Sequence, residues 1–329
     1  MPTLTDVPDR AMGVILKELK YRTVMKIRKV CTSLRDQVDN IKPSTNFKSI
    51  CIKLENGGAS VTLAEDFFRT RIITFKPDPE GCRVENGTRI ILLKKLTAHE
   101  ALFNDIKHVL TFQTEKMWFL WVYSSENEET NDAVFQRLGS IFALRSALLK
   151  VENLYMEATN QDQILQIVPF LDPTVFVTFT LLDLSKAKHT IQINAVANLA
   201  QWLACKTLVI KNCITSGNVQ NFFNFGSISV IFQTITSRNV VSIKRAFFQS
   251  SVPHHFEIGY INFTDEERFF QLPEFVREGR EKKKLRWFFR MSRRGLILHI
   301  SIKKEKKRSY FEFSTIMEAR VPRYAPIFG

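Results

Sequence analysis

Between about residue 97 and residue 263 the apolar residues switch repeatedly between two periods, and this alternation restricts the fold more than any other feature. Leu102, Ile106, Val109 and Leu110 recur at helical spacing behind Thr97, with Glu100 three residues on as the second half of a capping box. Residues 117–122 form an aromatic-rich strand. Residues 131–149 return to helix through Val134, Leu138, Ile141, Phe142, Arg145 and Leu148. The spacing then predicts strands at 151–156, 176–182, 207–210, 228–235 and 255–263. Helices or helical turns fall between them at 161–170, 195–203, 219–223 and from the Thr236 cap through Phe247. Such a rhythm suits right-handed crossovers. The strand pieces near 151, 207 and 256 recur about every fifty residues with another strand between each pair. The unit is then about twenty-five residues, the length of a leucine-rich-repeat-like solenoid. The register is irregular and lacks a repeating Asn, so an open layered α/β sheet is the alternative.

On either side the pattern differs. Phe47, Ile50, Ile52 and Leu54 alternate up to Gly57-Gly58, and further short strands are expected at 61–63, 72–75 and 89–93, with Pro77, Pro79 and Gly81 as turn signals. A set of short strands needs a neighbour to cover its apolar face. At the other end, 285–291, 296–302 and 309–314 alternate, separated by turn-like 292–295 and 305–308, which predicts an antiparallel meander. The first forty residues carry Ile15, Leu16, Leu19, Val24, Ile27, Val30, Cys31, Leu34 and Val38 at helical spacing, and Pro8-Asp9 stands where a helix would begin. So few residues bury little on their own. The expected organisation is a helical module at 1–43, a short-strand region at 47–96 and an α/β body at 97–329.

The N-terminal stretch resembles an F-box. Val7-Pro8 stands where that family has Leu-Pro; Ile15-Leu16, Leu19, Val24 and Met25 follow, then Arg28-Lys29-Val30-Cys31-Thr32-Ser33-Leu34-Arg35. F-boxes bind the Skp adaptor of Skp–cullin–F-box ubiquitin ligases. The resemblance thus implies Val7, Pro8, Ile15, Leu16, Leu19, Val30 and Leu34 as contacts to that adaptor and, through it, to a cullin. Residues from about 150 to 263 resemble the FTH domain that follows the F-box in a large nematode family of F-box-A-like proteins. The matching pieces are Lys150-Val151-Glu152-Asn153-Leu154, the run from Gln163 to Pro173, Gln201-Trp202-x-x-Cys205-Lys206-Thr207-Leu208, Phe222-Phe223-Asn224-Phe225 and residues 235–244. Ala200 and Leu203 depart from the family pattern, with the loss of two charges. The fold class that follows is α/β: a short-helix F-box, an irregular leucine-rich-repeat-like or layered strand–helix body, and a C-terminal antiparallel meander.

Composition excludes several other classes. The apolar content of 45% supports a sizeable core. Five scattered cysteines without a C-x-x-C suit reduced thiols in the cytoplasm or nucleus better than a disulfide framework or a zinc site. The apolar run 170–184 is too short and too polar to span a membrane, and the first residues have no secretory pattern. No phosphate loop, nucleophile elbow or zinc-protease motif is present, and the adjacent His254-His255 pair would point to opposite faces of a strand. No cofactor and no catalysis are expected.

The formal net charge is +14, and 277–308 holds 14 Lys or Arg against three Glu. A basic ridge of Lys282, Lys283, Lys284, Arg293, Arg294, Lys303, Lys304, Lys306, Lys307 and Arg308 is therefore the candidate partner-binding patch. The reading that results is a non-catalytic adaptor that recruits an unknown client to a ubiquitin ligase. The alternatives are a nucleic-acid-binding protein, with Trp287 as a stacking platform beside the lysines, or a scaffold without ligase duty. An exposed Trp287 favours nucleic acid, and a buried one does not.

Overall fold

The computed structural model describes residues 4–55, 57–66, 68–124, 128–183, 189–250, 254–275, 285–293, 295–304, 308–323 and 325–328. The chain is mixed α/β and divides into two compact units: Met1–Glu152 with Gln166–Val175, and Asn153–Leu165 with Phe176–Gly329. Among the described residues no helix is long and apolar enough to cross a membrane.

The first unit opens with helices α1 (Asp9–Glu18), α2 (Tyr21–Ile27) and α3 (Thr32–Ile41). Strands β1 (Ser49–Glu55), β2 (Gly58–Ala64), β3 (Thr70–Asp78), β4 (Gly81–Asn86) and β5 (Arg89–Lys94) follow as an antiparallel meander. Gly81 opens β4 at φ +150°, and a Cβ there would meet the Leu93 carbonyl oxygen at 2.2 Å, so only glycine fits this turn. Helix α4 (Ala98–Phe112) begins with the expected capping box, Thr97 with Glu100, and packs on β2 and β3. Strand β6 (Met117–Ser124) then returns parallel to β1, Ile50 opposite Leu120 and Ile52 opposite Val122. The sheet order is β5-β4-β3-β2-β1-β6. Helix α5 (Glu128–Ala143) stops at Ala143, short of the expected 149, and Leu144 and Leu148 are exposed.

The parallel β1–β6 pairing changes the domain organisation expected from sequence. The seam lies at Glu152–Asn153 and around 165–176, not at 97, because β6 and α4 complete the sheet that β1–β5 begin. Nor does the helical module stand apart at residue 43. The side chain of Gln113, fully buried, accepts from the Phe47 amide (3.0 Å) and donates to the carbonyls of Phe47 (3.0 Å) and Glu115 (2.9 Å). It also bonds the Thr45 hydroxyl, and the Thr45 amide donates to Phe112 O at 2.9 Å. The stretch after α3 is thereby fastened to the end of α4.

The second unit contains β7 (Val151–Glu157), α6 (Gln161–Leu165), β8 (Thr178–Leu182), β9 (Thr190–Gln192), α7 (Ala200–Ala204), β10 (Thr207–Lys211), β11 (Ile214–Ser216), β12 (Ser227–Ile235), α8 (Ser237–Gln249), β13 (His255–Phe263) and α9 (Glu266–Gln271). Strands β7, β8, β10, β12 and β13 are successive parallel neighbours, and β9 and β11 extend the parallel pairing beside β12. The helix expected over 161–170 is two pieces, α6 and a 3-10 turn at Val168–Phe170, because Pro169 removes a donor and clashes with the preceding turn. The helix expected over 195–203 is likewise a 3-10 turn, Val196–Asn198, followed by α7.

The chain ends in β14 (Leu285–Arg290), β15 (Leu296–Lys304), β16 (Ser309–Met317) and the short β17 (Ile327–Phe328). β14, β15 and β16 form the expected antiparallel meander, and β16 joins it to β13 with Phe256 opposite Phe313 and Ile258 opposite Phe311.

Candidate functional site

In the N-terminal helices, position along the helix decides which apolar residues are available to a partner. Val14, Ile15 and Leu16 are consecutive, and at about 100° per residue a helix cannot turn all three inward. Leu16 faces in, with Met12 one turn before it. Together with Val24 of α2, Leu34 and Val38 of α3 and Phe112 of α4 they make a closed core, with Val7, Leu19, Tyr21, Met25, Ile27 and Ile41 packed around it. Two polar ties fix the helices. Arg28 grips Asp39 with two charge-assisted bonds, 2.7 and 2.8 Å. Gln37 donates to the Val7 carbonyl at 2.8 Å and to Asp9 at 2.9 Å, pinning the turn that leads into α1.

Of the residues that the F-box resemblance marks, Ile15, Val30 and Pro8 are exposed and Val7 and Leu19 are half-buried. Leu16 and Leu34 are 0% and 4% exposed. These two hold the module together and are withdrawn from the surface, which corrects their assignment as docking anchors. In their place stand Val14 at 65% and Leu4 at 44% exposure, beside the expected Val30 at 71%. Sequence reasoning passed over Val14 and Leu4. The run Val14-Ile15-Leu16 held the signal for Val14, since three consecutive apolar residues exceed one helix face.

The C-terminal basic ridge is only partly described: Lys282, Lys283, Lys284, Arg294, Lys306 and Lys307 lie outside the described residues. Arg293, Lys303 and Lys304 are exposed and Arg308 is half-buried. Lys303 pairs with Glu312 at 2.7 Å and Lys304 with Glu266 at 3.7 Å, so both have acidic neighbours within their own unit. Trp287 is 3% exposed. Its ring is boxed by Phe269 at 5.7 Å and Phe275 at 5.4 Å, both edge-on, and the neighbouring Phe289 carries the Lys244 ammonium 3.9 Å above its face. Trp287 is a core residue and offers no face on which a base can stack.

The thiols are placed for packing. Cys205 and Cys213 are buried, and burial pushes them up to about 11 and about 12 respectively, the direction that suppresses thiolate chemistry. His254 is buried between the Phe225 carbonyl (2.8 Å) and the Ser250 hydroxyl, whereas His255 opens β13 on the exposed side.

A search of curated proteins returned no match. Residues 132–274, from within α5 to the turn at Pro273–Phe275, match the family model of the FTH domain, and this supports the chain as an FTH-domain protein.

Proposed function

We propose that the chain is a non-catalytic, substrate-recruiting adaptor of a Skp–cullin–F-box ubiquitin ligase. The N-terminal helices dock the Skp adaptor, and the body that follows binds a client and raises its effective concentration beside the transferring enzyme. One observation carries this reading. The helical module has closed its own core and still presents Val14, Ile15 and Val30 to solvent. Apolar residues exposed on a small helical surface are the usual material of a docking face. The FTH match at 132–274 lies downstream, as the F-box resemblance leads one to expect. Co-purification of the intact chain with a Skp adaptor is the test. Binding that survives replacement of Val14, Ile15 and Val30 by serine rejects this docking face. No binding by the unaltered chain rejects the adaptor role.

A further inference from the structure

The face of the first unit's meander on which α4 packs continues beyond the helix onto the outer strands. Cross-strand register gathers Ile73, Val84 and Ile91 on one side of β3, β4 and β5: Phe75 pairs with Val84, Val84 with Ile91, and Asn86 with Arg89. Helix α4 packs on β2, β3 and β4, while Ile91 on the outermost strand β5 is 57% exposed. With α2 and α4 as walls, this floor becomes a groove of about 720 Å³. Its rim is strongly one-signed. Arg22, Lys26, Arg28, Lys29, Arg71 and Arg89 line it, against one carboxylate, Asp105. Arg28 is committed to Asp39, and Arg71 donates to Asn86 at 3.0 Å, which holds its guanidinium at the groove wall. Asp105 is open to solvent yet sits among protein atoms, and this crowding raises its carboxyl above the usual range despite Lys29 and Arg71 nearby. A floor of aliphatic side chains under a cationic rim is complementary to a chain that carries both carboxylates and apolar side chains.

The edge of the sheet supports the same occupant. β5 reads Arg-Ile-Ile-Leu-Leu-Lys, and among the described pairings it bonds on one side only, to β4. Ile90 and Leu92 on its other face are also exposed. Pairing β5 antiparallel with its counterpart in a second copy sets Arg89 opposite Lys94, and parallel pairing sets Arg89 opposite Arg89. Like charges directly opposite are destabilising in either arrangement. An acidic strand reverses the sign of that interaction. Nucleic acid suits the site less well, because its floor is aliphatic and its aromatic lining rings are already engaged, Tyr21 edge-on with Phe47 at 5.3 Å and His108 tilted against Phe112 at 6.5 Å.

We infer that the groove between α2, α4 and β2–β5 binds an acidic polypeptide segment with interspersed apolar side chains. The segment lies along the β5 edge, its carboxylates on Arg22, Lys29 and Arg89 and an apolar side chain on Ile91. This binding is independent of the Skp-docking reading, since it involves the purified chain alone. The test is fluorescence anisotropy of the intact chain with a short labelled peptide of glutamates interspersed with leucines. The same peptide with serine for leucine and a labelled single-stranded oligonucleotide are run beside it. Binding of the leucine peptide is expected, weaker with added salt and weaker for the serine peptide. The double variant R22E/K29E, on exposed side chains, is expected to weaken it at least about tenfold, as is Ile91→Asp. Thermal unfolding shows whether each variant is folded, and R22E/K29E decides the matter if Ile91→Asp is not. The inference is overturned by absent peptide binding, by binding indifferent to R22E/K29E, or by tighter binding of the oligonucleotide through the same arginine and lysine. Self-association through β5, abolished by Ile91→Asp, also overturns it.

Discussion

Replacing Val14 and Val30 together by serine tests the docking face at a cost that can be worked out beforehand. Fully burying a valine side chain contributes about 1.5 kcal/mol at the low end. Val14 and Val30 retain 65% and 71% of their surface in the free chain, so a partner covering both recovers about 1 kcal/mol from each. The double variant should lose about 2 kcal/mol of binding, roughly thirtyfold in Kd. Neither side chain contributes to the closed core of Met12, Leu16, Val24, Leu34 and Val38, so the urea midpoint should move little. Leu16→Ala is the contrasting change: it should cost about 2–5 kcal/mol of stability and remove binding by unfolding the module. Calorimetric titration against a purified Skp adaptor, paired with urea unfolding of each variant, separates the two effects. Unchanged affinity in a folded Val14→Ser/Val30→Ser chain refutes the reasoning.

Three further outcomes follow from the packing. Gln113→Ala should destabilise the first unit by about 3 kcal/mol or more, because it strands the Phe47 amide and carbonyl and the Thr45 hydroxyl; urea unfolding measures it, and a loss under about 1 kcal/mol contradicts the network. Gly139→Ala raises helix propensity by about 1 kcal/mol, yet its new Cβ would lie 2.9 Å from the carbonyl oxygen of Gln166, so a net loss is expected, and a raised Tm would show that this contact yields easily. Burial holds the imidazoles of His254 and His299 below the usual range, so they stay neutral in the fold while the unfolded chain takes up protons. Their contribution is full above the ordinary value of 6.5 and declines as pH falls from there towards the folded values; urea midpoints across that interval should drop, and less so in His254→Gln.

Local chemistry was legible and long-range pairing was not. The Thr97–Glu100 capping box and the Thr236 cap of α8, closed by Asn239, were readable because each is confined to four consecutive residues. The C-terminal meander was readable from period-two alternation between turn residues. The parallel return of β6 onto β1 left no local mark, since about sixty residues separate the partners, and with it went the true extent of the first unit. Leu16 and Leu34 show the same limit at the docking face. Helical spacing says that a residue is apolar and on a stripe, while the tertiary neighbour decides whether that stripe is a core or a surface. Here the neighbour is Phe112, from a helix much further along the chain. The basic groove was invisible for the same reason, being assembled from α2, four strands and α4.

The ten residues Gln166–Val175 belong with the first unit although the chain on both sides of them belongs to the second. Leu149 receives them, its amide donating to Phe170 O at 2.8 Å, and Phe142 stacks on Phe170 at 6.3 Å. The chain therefore passes from one unit to the other three times, at 152–153, 165–166 and 175–176. During synthesis the first unit cannot finish when residue 152 leaves the ribosome. It waits for residue 175, by which time β7 and α6 have emerged without the strands they pair and pack with. Vectorial folding of this protein is thus interleaved, and a nascent chain stalled between those points would expose Phe142 and Leu149 to chaperones.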